Sequence, residues 1–227
     1  MIDGFLVARL VADFLFGFST LISIINPFGI AFVFRDMTRW MTPQERAALA
    51  RAIGVNSFVV IVASLFLGAR VLAFFGISLE ALRIGGGLAV AVSGWQMLRA
   101  PVDTDAAPKA MDTAPIQAMA FFPLTVPLTT GPGAISAAIA LGADRRSLSA
   151  GQLLAGMASA ILVASAVAVA IWLSYRYADA IARRLGPQGT LIVTKLAAFL
   201  LLCVGVQIML TGVTDALVHI IAQRPPA

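Results

Sequence analysis

Charge is scarce in this chain: Asp, Glu, Lys and Arg make up 12% of its 227 residues, against about 25% in an average soluble domain. His219 is the sole histidine, so no H-E-x-x-H motif or multi-histidine metal site exists. Cys203 is the sole cysteine, which excludes a disulfide framework; inside an apolar stretch it is expected to be a small buried packing residue. The chain lacks a G-x-S-x-G elbow and a G-x-x-x-x-G-K-[ST] phosphate loop, so ATP-driven pumping by this chain alone is not expected. No pair of aspartates falls inside the apolar stretches, which disfavours an intramembrane aspartyl protease. A basic n-region and an A-x-A site are missing at the start, and no removed signal peptide is expected. The expectation is therefore a chain that is not an enzyme, with no catalytic residue, bound metal or resident cofactor.

Hydrophobic residues are abundant instead, at 60%. They gather into six stretches, 14–34, 53–69, 81–98, 116–141, 153–175 and 192–213, and a membrane span needs about 20 residues, with a range of about 17–25. So little chain remains outside them that residues 1–227 read as one transmembrane domain, with the lipid bilayer as its main partner. The net charge of +5 does not indicate nucleic acid, because the basic residues flank apolar stretches and form no single patch. If the stretches alternate across the membrane, nine Lys and Arg fall in the 35–51, 99–117 and 176–190 loops and five on the other side, with Arg83 and Lys195 counted in neither. The positive-inside bias then puts both termini on the external, periplasmic face, with the Arg145-Arg146 pair arguing the other way. Trp40, Trp95, Trp172 and Tyr175 fall near the cytoplasmic boundary, as an aromatic belt would.

Two turns interrupt the apolar stretches: Asn26-Pro27-Phe28-Gly29 in the first and Gly131-Pro132-Gly133 in the fourth. Proline removes a backbone donor and clashes with the preceding turn, and glycine permits geometry that other residues avoid. Hydrocarbon tolerates the freed backbone groups only where protein or a water-filled cavity receives them. Broken segments in corresponding positions of two halves point to a transporter binding site. A helix restarted after either break would aim free N–H groups at a carboxylate, and the carbonyl end before it would receive an ammonium group or a cation. Asn26, Pro27, Gly29, Thr129, Thr130, Gly131, Pro132 and Gly133 are the expected substrate-binding residues for a small zwitterion, with Ser23 a candidate for gating or substrate contact. Plain kinking is the alternative for a single break. No carboxylate stands near a mid-span position, so a coupling H+ or Na+ would rely on hydroxyl and backbone oxygens.

The halves also resemble each other. Pro27 and Pro132 stand 105 residues apart, and each is followed by glycine and then by Ile30 or Ile135. Thr42-Pro43-Gln44-Glu45 has the form of a capping box, and Ser149-Ala150-Gly151-Gln152 repeats its spacing. Leu79 to Leu98 aligns with Leu191 to Leu210, which brings Arg83 onto Lys195. Both are expected either to snorkel to the interface or to contact substrate or a gate, and Glu80 is a helical ion-pair candidate for Arg83. The expected fold is all-α, six transmembrane helices arranged as two inverted three-helix repeats, with the first and fourth helices discontinuous. Repeat 1 covers about 1–99, a connector about 100–115 and repeat 2 about 116–227. Small residues at Gly85, Ala89 and Ser93, at Gly86, Val90 and Gly94, and at Ala160, Ala164 and Ala168 are suited to close helix packing.

The N-P-F-G turn, the run Phe75-Gly76-Ile77-Ser78-Leu79-Glu80-Ala81-Leu82-Arg83-Ile84-Gly85-Gly86-Gly87 that leads to Met97-Leu98, and Pro127-Leu128-Thr129-Thr130-Gly131-Pro132-Gly133-Ala134-Ile135 resemble the MarC family of bacterial and archaeal integral membrane proteins. The resemblance covers nearly the whole chain. It implies a six-span inner-membrane protein with external termini, and some members are classed as transporters of small neutral amino acids such as glycine and alanine. Asn26, Pro27 and Gly29 then carry over to the first discontinuous helix, and Thr130, Gly131, Pro132 and Gly133 to the second. Arg83 matches the family's arginine before paired glycines, and Lys195 matches no family motif. The leading expectation is a secondary transporter of small neutral amino acids by alternating access. The alternative is a non-transporting inner-membrane assembly or scaffold protein. Monomer and homo-oligomer, import and export all stay open.

Overall fold

The computed structural model describes residues 2–99, 119–143 and 150–222, and among these the regular elements are all helical. Helix α1 runs Ile2–Ile25, α2 Pro27–Met37, α3 Pro43–Phe74 and α4 Leu79–Arg99. The wide helix α5 follows at Ala120–Thr129, then α6 at Pro132–Ala143 and α7 at Ala150–Ala222. Gly186, at φ 68° and ψ 177°, divides α7 into two arms. The 100–115 connector, Arg145-Arg146 and Ser149 with its proposed capping box lie outside the described residues.

Four segments are long and apolar enough to cross a membrane: Leu10–Arg35, Pro43–Phe74, Gly156–Gly186 and Gln188–Ile221, with Pro132–Ala143 as a shorter apolar helix. Their outer faces carry large apolar side chains such as Val59, Leu67, Leu196, Phe199 and Leu217, each more than 45% exposed. Water would penalise such a surface, whereas lipid is its natural solvent.

Local chemistry sets the helix ends. Thr42 caps α3 as its sequence predicts: its hydroxyl accepts from the Glu45 N–H at 3.3 Å, and the Glu45 carboxylate accepts from the Thr42 N–H at 2.8 Å. At the other end Gly76 adopts φ 67°, and the chain closes with Ile77 N–H donating to Leu72 O at 2.9 Å and Gly76 N–H to Ala73 O at 3.2 Å. That is a Schellman stop, and it needs a residue without Cβ penalty at the left-handed position.

The core is built from Leu21 and Ile25 of α1, Phe34 of α2, Leu49, Ile53 and Ile61 of α3, Leu124 of α5, and Val163, Val167 and Ile171 of α7, all essentially inaccessible. Ala160, Ala164 and Ala168 are buried on the first arm of α7, in keeping with close packing. Helix α4 lies antiparallel along the second arm of α7. A Cβ at Gly87 would stand 2.6 Å from the Met209 nitrogen, one at Gly94 2.5 Å from that of Leu202, and one at Gly205 2.3 Å from that of Ala91. Backbones this close require glycine on both sides. Of the stripes read from the sequence, Gly86, Val90 and Gly94 are buried, while Gly85 and Ser93 are exposed.

Three sequence expectations change. Cys203 is exposed on the second arm of α7, because the buried face of that arm is taken by Ala198, Leu201 and Gly205. Tyr175 is 2% exposed and stacks on Phe34 with ring centres 4.5 Å apart, so it belongs to the core and not to an interfacial belt. Trp40 and Trp95 remain outward-facing. Arg83 finds its carboxylate across the helix pair, at Asp215, and not one turn back at Glu80.

Candidate functional site

At the first break the chain turns on one residue. Asn26 sits in the left-handed region at φ 46° and ψ 57°, the one non-glycine residue with positive φ among those described. Asparagine tolerates that conformation better than most side chains because its short amide can bond locally. Its N–H still donates to Ile22 O of α1 at 2.9 Å, while its carbonyl accepts from Ile30 N–H at 3.1 Å and opens α2. The side chain works on both sides: Oδ1 accepts from Gly29 N–H at 3.3 Å, and Nδ2 donates to Ala197 O on the second arm of α7 at 3.2 Å. Pro27 takes the first helical position, where a missing N–H costs nothing. A Cβ on Gly29 would fall 2.4 Å from the Ala197 methyl, so α2 and α7 meet there only through glycine.

The second break is longer and has a different cause. Pro123 and Pro127 lie within α5, and each pushes the residue before it out of helical geometry. Phe122 is extended at φ −127° and ψ 125°, and Val126 at φ −118° and ψ 120°. The ladder widens to five-residue spacing: Thr130 N–H donates to Thr125 O at 2.7 Å, and the hydroxyls of Thr125 and Thr129 donate to Ala120 O and Leu124 O, both at 2.6 Å. Thr129 Oγ1 also lies 2.7 Å from the Tyr175 hydroxyl, and Thr130 Oγ1 donates to Ser57 Oγ at 3.0 Å, both fully buried. Helix α6 then restarts at Pro132, with Ile135 N–H donating to Gly131 O at 3.1 Å. By geometry the first-turn N–H groups of Gly133 and Ala134 have no partner within α6.

A cavity of about 160 Å³ lies between the breaks. Ile24 and Ile30 bracket it from the first break, and Leu128, Thr129, Gly131, Pro132, Gly133 and Ala134 from the second. Ala89, Val90 and Ser93 of α4 and Leu201 of α7 close the remaining walls. Helix α4 can approach because Gly86 leaves room for Ser136, whose hydroxyl donates to Gly133 O at 2.8 Å, and because Gly133 packs against Val90.

The structure thus brings together Thr129, Gly131, Pro132 and Gly133 at the cavity and puts Thr130 one step behind, against α3. Asn26, Pro27 and Gly29 form the turn on either side of which Ile24 and Ile30 reach the cavity. Ser23 is exposed on α1. Arg83 pairs with Asp215, and Lys195 Nζ donates to Leu98 O at 2.7 Å and Met97 O at 3.3 Å, so both basic side chains serve the ends of the α4–α7 helix pair, away from the cavity. Sequence reasoning missed Tyr175 and Ser57, the buried hydroxyl partners of the second break. It also missed Asp179, which holds Arg35 of α2 at 2.9 Å and Arg46 of α3 together on the first arm of α7.

Comparison with known proteins agrees with a membrane-spanning chain. A family model described as MarC family integral membrane protein matches residues 11–217. The UPF0056 inner membrane protein MarC of Escherichia coli strain K12 is 32% identical over 205 residues, covering 88% of this chain and 93% of that protein. The UPF0056 membrane protein MJ1677 of Methanocaldococcus jannaschii is 30% identical over 206 residues, covering 90% and 97%. No solved structure matches the chain.

Proposed function

The chain belongs to the MarC family of integral membrane proteins, and from that premise we propose that it is a secondary transporter of small neutral amino acids, glycine or alanine in size. The observation that carries this reading is the cavity of about 160 Å³ walled by both breaks. Pockets for drug-sized ligands run to about 300–1,000 Å³, so the volume selects a solute of a few heavy atoms. Small walls at Ala89, Ala134, Gly131 and Gly133 suit a hydrogen or methyl side chain. The start of α6 supplies donors for a carboxylate, and carbonyls at the end of α5 supply acceptors for an ammonium group. No charged side chain lines the cavity, as suits a ligand whose own charges cancel.

Alternating access follows from an inverted repeat in this reading. The antiparallel pairing of α4 with the second arm of α7 supports it: Arg83 near the start of α4 reaches Asp215 towards the end of that arm, and Lys195 near the start of the arm reaches the last carbonyls of α4. Two halves related in this way can exchange conformations and open the cavity to either face. The two breaks are the discontinuous helices of the repeat, the termini face outward, and the chain resides in the inner membrane, as the name of its Escherichia coli relative says of that protein. It is a carrier and not an enzyme.

Counterflow in proteoliposomes tests the proposal. Vesicles loaded with unlabelled glycine or alanine should transiently accumulate the labelled amino acid above equilibrium, and empty vesicles should not. Gly131→Leu, which puts a branched side chain into the cavity, should abolish counterflow while the protein still reaches the membrane. Normal counterflow by well-expressed Gly131→Leu would overturn the site. Failure of wild type with every small amino acid, with or without proton or sodium gradients, would overturn the substrate class and favour a scaffold.

A further inference from the structure

A second and larger cavity, of about 360 Å³, opens between α3 and the first arm of α7. Arg51, Gly54, Val55 and Phe58 line it from α3, and Ser165, Ala168, Val169 and Trp172 from α7. Each set follows one helix face at i, i+3, i+4 and i+7 spacing, so the crevice runs along both helices for about 10 Å. The helices are antiparallel here, and Gly54 lets them touch: a Cβ there would lie 3.2 Å from Trp172 Cβ and 3.3 Å from Ala168 O. Arg51 and Trp172 therefore share one mouth, and Phe58 and Ser165 the other.

The two mouths differ in chemistry. Five residues beyond Arg51, towards the start of α3, Arg46 meets Asp179 and Arg35 at the charged boundary of the bundle. Asp179 is shared between those two arginines, and Arg176, Arg183 and Arg184 lie on the same arm. Arg51 is exposed and makes no ion pair among the described residues. Below it the walls are almost wholly apolar, since the Ser165 hydroxyl is turned back onto Ile161 O at 2.7 Å. A cation and an indole at the water boundary above an apolar crevice that opens towards the bilayer match one occupant in charge and polarity. We propose that this crevice seats an anionic phospholipid, one acyl chain against Val55, Phe58 and Val169, its phosphate at the Arg51 guanidinium beside Trp172. Basic pockets between spans recruit acidic headgroups in this way, each Arg adding about five-fold in affinity near the surface.

Native mass spectrometry of the full chain, released from micelles doped with phosphatidylglycerol or phosphatidylcholine, tests the assignment. Wild type should retain phosphatidylglycerol several-fold better than phosphatidylcholine. Arg51→Gln should reduce that preference about five-fold, and Arg70→Gln, a control at the far end of α3, should leave it unchanged. Val169→Trp should fill the crevice and remove both lipids; Val169 is half exposed, so this variant tests the site even if Arg51→Gln fails to fold. Equal retention of the two lipids by wild type, or equal losses in Arg51→Gln and Arg70→Gln, would overturn the proposal. So would a lipid-free dimer cross-linked between cysteines placed at Val55 and Val169, which would give the crevice to a second copy of the chain.

Discussion

The two breaks face one cavity, yet they are made by different means. At Asn26 one left-handed residue ends α1, and a single amide both caps α2 and ties it to Ala197. Between Phe122 and Gly131 two prolines distort a whole segment; the Thr125 and Thr129 hydroxyls donate to the carbonyls of Ala120 and Leu124, and Thr129 and Thr130 tie the segment to the hydroxyls of Tyr175 and Ser57. The first is a point hinge, whose cost is concentrated in one side chain. The second spreads its polar load over α3, α5 and α7, so no single group holds it. A carrier whose two halves move unequally would use the point hinge for rotation and the networked segment as the fixed wall.

The comparison predicts where one substitution does most damage. Asn26→Leu forces a bulky residue into the left-handed region at about 1–2 kcal/mol and removes a cap and a hydrogen bond worth about 1 kcal/mol each. Its loss of stability should be about 3 kcal/mol, read from denaturant unfolding in mixed micelles. Asn26→Gly keeps the backbone comfortable and should lose only about half as much. Equal losses in the two variants would mean that backbone strain plays no part at this hinge.

The second break should respond through its network. Thr129→Val leaves the Tyr175 hydroxyl without its partner in a fully buried site, at a cost of about 1–3 kcal/mol. Tyr175→Phe removes the group that would be stranded, so the double variant should be more stable than the sum of the single changes predicts, by about 1 kcal/mol. Strict additivity would break the network account and leave the prolines alone to explain the segment.

This difference also decides what the sequence revealed. Signals carried by neighbours along the chain were legible: both turns, the Thr42–Glu45 cap and the apolar runs depend on residues within about four positions. Signals carried across helices were not. Thr129 and Tyr175 are 46 positions apart and Arg83 and Asp215 132 apart, and no period or motif links them. Tyr175 reads as a belt residue because it follows an apolar run, and only the packing of Phe34 against it reveals a core position. Cys203 reads as buried because its stretch is mostly apolar on every face, and such a stretch does not say which face meets lipid. The cavity follows the same division. Its breaks were visible, whereas Ala89, Ser93 and Leu201 joined it only through the glycine contacts of α4.

The smallest predicted effect separates the hinge from the helix ends. Lys195 and Arg83 lie in spans or beside them, where an ionisable group is by default a functional candidate. Their observed partners are the last carbonyls of α4 and the half-exposed Asp215, neither of which touches the cavity. A cation at a helix C-terminus contributes about 0.3–1 kcal/mol, and an exposed ion pair about 0–1 kcal/mol. Lys195→Met should therefore lower stability by less than about 1 kcal/mol and leave the concentration dependence of counterflow unchanged. Asn26→Gly, which loosens the hinge, should alter the rate. If folded Lys195→Met instead lost counterflow, the amine would belong to the proposed substrate path, and the division between the Asn26 break and the helix ends would fail at its simplest point.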